Sequence, residues 1–301
     1  MSAGAGQSAV VVGVDGSDAA LGGVRWAADF AAGHALPLAL LHVTTKPVWQ
    51  FGGGAVPPES APEPAGEPVG REAGDSVLAA AHAVVQSAHP DLEVRQRAVR
   101  GSIATILADA SASARLLVIG AGAAGHRAVG GHAVRIAHRT QCPLVVWRPA
   151  VAKRTGKPLP VVVGVDESDP SRRALAEAFD VAAMLHAPLT VVHMWEIDAA
   201  VGMGDLGGQG LMDWPLLEVL QSQQRQQMDE FVEPFTRQYR NAHVNKVFQD
   251  VSPAKGLTEL SREAQLVVVG SHGRGRIADA VLGSVSQNLI HHAECPVLVV
   301  R

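Results

Sequence analysis

Cysteine is nearly absent from this chain: Cys142 and Cys295 are the only two in 301 residues. Two cysteines build no disulfide framework, so the small secreted disulfide scaffolds are excluded. Aromatic residues make up 4% of the chain, with a single tyrosine. A core must then come from aliphatic side chains, as in sheets covered by helices on both faces. No basic excess exists either: the formal net charge is −4, whereas nucleic-acid and anionic-membrane binding call for a positive surface. No apolar run approaches the ~20 residues of a membrane span. The opening MSAGAGQSAV has neither a basic segment nor a long apolar core, which gives no sign of a secretory signal. A soluble, cytoplasmic protein is expected.

What the chain does contain is itself, twice. Residues 10–18 read VVVGVDGSD and residues 161–169 read VVVGVDESD. At the same spacing Pro37 matches Pro188, Leu38 matches Leu189 and His42 matches His193. Near the ends, RTQCPLVV (139–146) resembles HAECPVLV (292–299), with the two cysteines in register. Self-similarity over half the chain marks a duplicated domain. The turn formers and cations of RPAVAKRTGKPLP (148–160) set the boundary, giving domains 1–150 and 151–301.

Apolar runs alternate with helix-length amphipathic segments in each copy. The second copy predicts strands at Val161–Val165, Leu189–Met194, Val244–Phe248, Leu266–Val269 and Val297–Val300, with helices near 170–186, 214–240, 253–264 and 283–293. The first copy predicts strands at Val10–Val14, Leu38–Val43, Leu92–Val99, Leu116–Ile119 and Leu144–Trp147. Strand–helix–strand repetition means parallel strands with right-handed crossovers, hence a doubly wound α/β domain, twice. The final strands, Leu144–Trp147 and Val297–Val300, are short and apolar. As sheet edges they invite pairing, so the two copies are expected to join through them. Pro47–Arg71 and Val201–Gly210 have the composition of solvated surface loops; a lid over a site is the less common alternative.

Ligands of open parallel sheets sit at the carboxyl ends of strands, where the strand order reverses. Asp166 follows the strand Val161–Val165 directly. After Leu266–Val269 the chain reads GSHGRGRIADAVLGSVS, with the spacing Gly270-x2-Gly273-x9-Gly283-Ser284. Glycines let backbone approach an anion closely. Ser284, Val285 and Ser286 open the last helix, where free N–H groups and the helix dipole favour phosphate. Arg274 and Arg276 add cations from the loop. Asp166 suits a ribose hydroxyl or a metal carried by phosphate; it, Ser168 or Asp169 alternatively caps the next helix.

Several patterns are missing. There is no GxxxxGK[ST] loop, no GxGxxG after the first strand and no GxSxG elbow. No acid–base pair stands at a readable spacing. His291 and His292 have no carboxylate at metal-ligand spacing, and the two cysteines, each before a proline, are expected to pack.

With Val161-Val-Val-Gly-Val-Asp166 upstream and Cys295-Pro-Val-Leu-Val-Val300 at the end, the Gly270-x2-Gly273-x9-Gly283-Ser284 motif resembles that of the universal stress protein family, in its tandem bacterial form. The resemblance implies a five-stranded parallel sheet per domain in the order 3-2-1-4-5, with helices on both faces. It implies ATP or a related adenine nucleotide; Mg2+ is a candidate companion, at Asp166 by the strand-end reading above. Gly164, Val165 and Asp166 would line the adenosine, and Val191 or Val192 would touch the base, with Val269 beside it. Gly270 and Gly273 would approach the nucleotide, while Gly283, Ser284, Val285 and Ser286 hold phosphates. The implied role is in stress survival and growth control, with nucleotide binding as a switch rather than fast turnover. Beside it, a sensor is expected, its nucleotide state read by a protein partner or by oligomerisation, and two chains are expected to associate as a homodimer.

The first copy departs from the motif. Gly13, Val14 and Asp15 remain, but Gly120 is followed by AGAAGHRAVGGHA. With Gly120 matched to Gly270 and Gly130 to Gly283, this loop is three residues shorter, Ala123 replaces Gly273, and only Arg127 is cationic. One good site, in the second copy, is therefore expected. Two rival readings stand beside the sensor: a partner-binding scaffold whose nucleotide site has lapsed, and an enzyme that activates a substrate with ATP.

Overall fold

Valine-rich runs become inner strands here, covered on both faces, while the more polar runs Val94–Arg100 and Val244–Asp250 become the two exposed edge strands. In the computed structural model, which describes residues 8–44, 69–121, 127–150, 158–195, 214–273 and 282–301, they form β1 (Val10–Val14), β2 (Leu38–Thr44), β3 (Val94–Arg100), β4 (Leu116–Gly120) and β5 (Leu144–Trp147) in the first half. The second half supplies β6 (Val161–Val165), β7 (Leu189–Trp195), β8 (Val244–Asp250), β9 (Leu266–Gly270) and β10 (Val297–Val300). The intervening helices are α1 (Asp18–Gly33), α2 (Val69–Ala88), α3 (Ile103–Ser111), α4 (Arg127–Ala137), α5 (Asp169–Met184), α6 (Trp214–Gln238), α7 (Pro253–Leu260) and α8 (Ser284–His292). A short 3-10 turn, Ser261–Glu263, follows α7.

All ten strands share one sheet, ordered β3-β2-β1-β4-β5-β10-β9-β6-β7-β8. Read from each outer edge inward, each half has the order 3-2-1-4-5 with parallel neighbours. The halves meet at an antiparallel joint, where Val146 faces Val297, Val145 faces Leu298 and Leu144 faces Val299. The expected pairing of the final strands thus takes place, and it turns two sheets into one. The predicted strand at 92–99 shifts to Val94–Arg100, because the Leu92 N–H closes a turn on the His89 carbonyl. Most of the two loop-like segments, Pro47–Arg71 and Val201–Gly210, lies outside the described residues.

Strand alternation divides the core. Val10, Val12, Val161 and Val163 face a layer made with α1, α2, α5 and α6, through Val24, Ala81, Leu175 and Phe231. Val11, Val162, Leu117 and Val267 face a layer made with α3, α4, α7 and α8, through Leu107, Ile136, Leu257 and Leu289. Each layer runs without a break across both halves.

The joint carries a reciprocal device. Arg148, just past β5, donates from Nη1 to the Ala293 carbonyl at 2.7 Å and from Nη2 to the Ile290 carbonyl at 2.6 Å. It thereby satisfies carbonyls at the end of α8 that have no helical partner. Arg301, just past β10, donates to the Ala137 carbonyl at the end of α4. Each half caps the other's last helix.

Cys142 and Cys295 are buried free thiols at equivalent places. Burial disfavours the thiolate and pushes Cys142 up to about 11 and Cys295 to about 12. The folded state therefore holds these protons where the unfolded chain, near 9, releases them. Their contribution to stability is complete below pH 9 and is lost as pH rises toward 11 to 12. The melting temperature is expected to fall steadily across that range. Replacing both by alanine should flatten the slope; an unchanged slope would assign it to other groups.

Candidate functional site

β6 lies between β7 and β9, so the chain leaves it toward opposite sides and a crevice opens at its carboxyl end. A cavity of about 320 Å³ occupies it. Its inner wall is apolar: Val192 and Met194 from β7, Leu257 from α7 and Val269 from β9. Alternation along β7 resolves the choice between neighbours, since Val192 faces this cavity and Val191 faces the opposite core layer. Gly164 keeps the wall flat; a Cβ there would come within 2.8 Å of Leu257 Cδ1.

The rim is polar. The Asp166 Oδ1 accepts from the Ser168 N–H at 3.2 Å and from the Ser168 hydroxyl at 2.6 Å. Ser168 is the N-cap of α5 and in turn accepts from the Ser171 N–H at 3.3 Å. The capping role thus falls to Ser168, and Asp166 fixes the turn before it. The Asp166 N–H donates to the Ser171 hydroxyl at 3.1 Å.

Opposite this turn, β9 and α8 are clasped together. The Gly283 N–H donates to the Ser271 carbonyl at 2.7 Å, and the Ser286 hydroxyl reaches the same carbonyl at 3.0 Å and the Gly283 carbonyl at 2.9 Å. Ser286 is buried, and its hydroxyl proton is committed to these carbonyls. It can offer a ligand its backbone N–H, but the side-chain donor expected of it is turned inward. Gly283 is the N-cap of α8 and supplies no side-chain cap. The N–H groups of Ser284, Val285 and Ser286 open the helix at the cavity wall, where the helix itself gives them no acceptor.

Three glycines here have distinct reasons. A Cβ on Gly273 would run into the Asp166 carboxylate. One on Gly283 would lie 3.2 Å from His272 Cα. One on Gly270 would meet Pro170, with Cβ at 2.9 Å, so Gly270 both lines the cavity and lets α5 lie close on β9. Arg274 and Arg276 lie outside the described residues.

The structure therefore brings Gly164, Val165, Asp166, Val192, Val269, Gly270, Gly273, Gly283, Ser284, Val285 and Ser286 to one cavity. Sequence reading missed Met194, Pro253, Leu257, Ser171 and His272, which also line it. Pro253 and Leu257 belong to the crossover after β8, and only the winding of the chain carries that helix over the end of β6. Among the described residues no group of three or more His, Cys, Asp or Glu converges on a metal position. Asp166 is then a single carboxylate, which could hold a cation only together with ligands from phosphate and water.

The first half has a smaller cavity of about 230 Å³ at the end of β1. Gly13, Asp15 and Gly120 line it. Asp15 repeats the turn, accepting from the Ser17 N–H at 3.0 Å and the Ser17 hydroxyl at 2.6 Å. Gly130, however, does not stand where Gly283 stands. α4 begins at Arg127, so Gly130 lies inside the helix, and N–H groups from Gly131 onward are committed to helical carbonyls.

The model of the universal stress protein family matches residues 8–148 and again 159–301. A universal stress protein of Mycolicibacterium smegmatis is 32% identical over 297 residues, 97% of this chain and 96% of its own. One from Mycobacterium tuberculosis, strain H37Rv, is 32% identical over 306 residues, 100% of this chain and 99% of its own. Among solved structures, a universal stress protein of Archaeoglobus fulgidus superposes with a TM-score of 0.65 at 17% identity, covering 97% of this chain and 98% of its own; at that identity the likeness concerns the fold. On these matches the chain belongs to the universal stress protein family and carries its domain twice.

Proposed function

We propose that the second half binds one adenine nucleotide, ATP in the first instance, and that the chain works as a nucleotide-responsive sensor in stress response or growth control. The observation that carries this reading is the uncapped start of α8, three free N–H groups wide, facing Asp166 across an apolar slot. The slot takes the base between Val192 and Val269, the Asp166 carboxylate accepts from the ribose, and the helix start holds phosphate. A phosphate-borne Mg2+ completes the set. The family resemblance supports the same assignment for Gly164, Val165 and Gly270.

The reading is of a binding protein rather than a catalyst. The polar groups at the cavity are occupied in building turns and the clasp, an arrangement suited to holding a ligand. Slow hydrolysis by a bound water is compatible with it. Binding shifts the chain between states only by its differential affinity for them, and a protein partner or a second copy of the chain reads the difference. Because β5 and β10 are consumed within the chain, a homodimer forms through other surfaces.

Calorimetric titration of ATP into nucleotide-stripped protein tests this. The expected result is about one site per chain, unchanged in Asp15→Ala, since Asp15 belongs to the other cavity. Absence of binding by the wild type would leave the scaffold reading in the lead.

A further inference from the structure

We infer that His193, steadied by Gln224, is a positioning residue for the second-half site: from behind the sheet it fixes the peptide group that carries Asp166. For the identity of the ligand this rests on the reading proposed above. β7 alternates between the two core layers. Val192 and Met194 face the cavity, whereas Val191 faces the opposite layer and His193 meets Gln224 of α6 there. His193 is buried and is not among the residues that line the cavity. It reaches the site through the backbone.

β6 pairs with β9 as far as Val163–Val268, but with β7 as far as Val165–His193. The last two residues of β6 therefore part from β9, which opens the crevice, and are held from the β7 side. There the His193 Nδ1 meets the Val165 carbonyl at 3.0 Å. A carbonyl only accepts, so Nδ1 carries a proton. The Gln224 side-chain amide meets Nε2 at 3.1 Å. An amide can turn its oxygen or its NH2 to the ring, so it suits the neutral and the charged imidazole alike. Phe248, opposite His193 in the β7–β8 register, stacks on the ring with centroids 5.5 Å apart. The ring thus has a fixed place and a fixed donor.

The same peptide group is held at its other end. The Asp166 N–H donates to the Ser171 hydroxyl at 3.1 Å. Carbonyl and N–H share one rigid plane, so the two contacts together set the direction in which Asp166 leaves the strand. Its Oδ1 then accepts from Ser168, and its Oδ2 stands where a Cβ on Gly273 would fall. The first half keeps one of these contacts: the His42 Nδ1 meets the Val14 carbonyl at 2.7 Å. Ala20 stands where the second half has Ser171, and Ala98 where it has Phe248, so neither that hydroxyl nor the stacking ring is repeated. The complete grip belongs to the half with the glycine–serine motif.

ATP titration of His193 variants, combined with amide hydrogen exchange of the ligand-free protein, tests this. His193→Phe keeps a ring and loses the donor; ATP should bind about tenfold more weakly, as one lost hydrogen bond implies. His193→Asn places a side-chain N–H near the position of Nδ1 and should bind within about twofold of wild type. Introduced into Asp166→Ala, the His193→Phe change should cost less than about twofold, because the group it positions is gone. Without ligand, the Asp166 and Ser168 N–H groups should exchange about tenfold faster in His193→Phe than in His193→Asn. If His193→Phe does not fold, His193→Gln, whose amide reaches toward Gln224 instead of Val165, takes its place. Undiminished ATP binding by the donor-free variant, or the same loss with and without the Asp166 carboxylate, would overturn the inference. A wild type that binds no ATP would sink the nucleotide reading alone. The exchange rates then decide, and equal rates in the donor-free and asparagine variants would end the positioning role.

Discussion

Replacing Gly273 by valine is expected to abolish ATP binding, by about 100-fold or more, in a protein that still folds. A Cβ at this position runs into the Asp166 carboxylate, and valine adds two methyl groups beyond it. Either the loop end withdraws or Asp166 turns away; both separate the ribose acceptor from the helix start. Losing two or three charge-assisted hydrogen bonds at about 1.5–3 kcal/mol each accounts for the size of the effect. Gly273→Ala should lie between, because its single methyl already meets the carboxylate. Gly273 sits after β9 and is only half-buried, so the melting temperature should move by no more than about 3 °C. Titration calorimetry with thermal melting reads both quantities. Valine binding ATP as well as glycine would remove the cradle from the proposal.

The largest effect on stability is expected from Arg148→Ala. The guanidinium is buried and satisfies two carbonyls of the other half. Burial pulls its pKa below the usual arginine value, yet the group has no alternative route to water. Its removal leaves the Ile290 and Ala293 carbonyls without their donor and opens a void at the joint, costing about 3–4 kcal/mol. Arg148→Met, which refills most of the volume, separates the two contributions and should cost less. Chemical denaturation monitored in parallel by the tryptophans and by backbone dichroism gives the value. If the joint is what couples the halves, the two probes should cease to coincide in Arg148→Ala. A loss below about 1 kcal/mol would mean that the strand pairing and the shared core layers hold the halves without it.

The fold itself was readable in the chain because its causes are local and repeated. Runs such as Val161–Val165 and Leu266–Gly270 admit few environments other than a covered parallel strand, and their duplication revealed two copies of one winding order. The glycine spacing likewise announced a site at Gly270–Ser284, since glycines and serines between a strand and a helix leave backbone donors open. Several features had no local signature. That Val192 rather than Val191 faces the slot depends on which side of the sheet α7 covers. Ser286 spends its hydroxyl on the Ser271 carbonyl, a choice set by the distance between two elements fifteen residues apart. Gly130 sits inside α4 because that helix starts early, and a one-turn difference in a helix start leaves little mark in residue types. The Arg148 and Arg301 caps join residues more than 140 positions apart. Residue chemistry and period therefore determined the strands, the repeat and the location of the cavity; the direction of each side chain, and which donors stay free for a ligand, were decided by the packing of helices on the sheet within each half and, for Arg148 and Arg301, by the joint between the halves, since burial leaves a polar group no choice but the nearest partner.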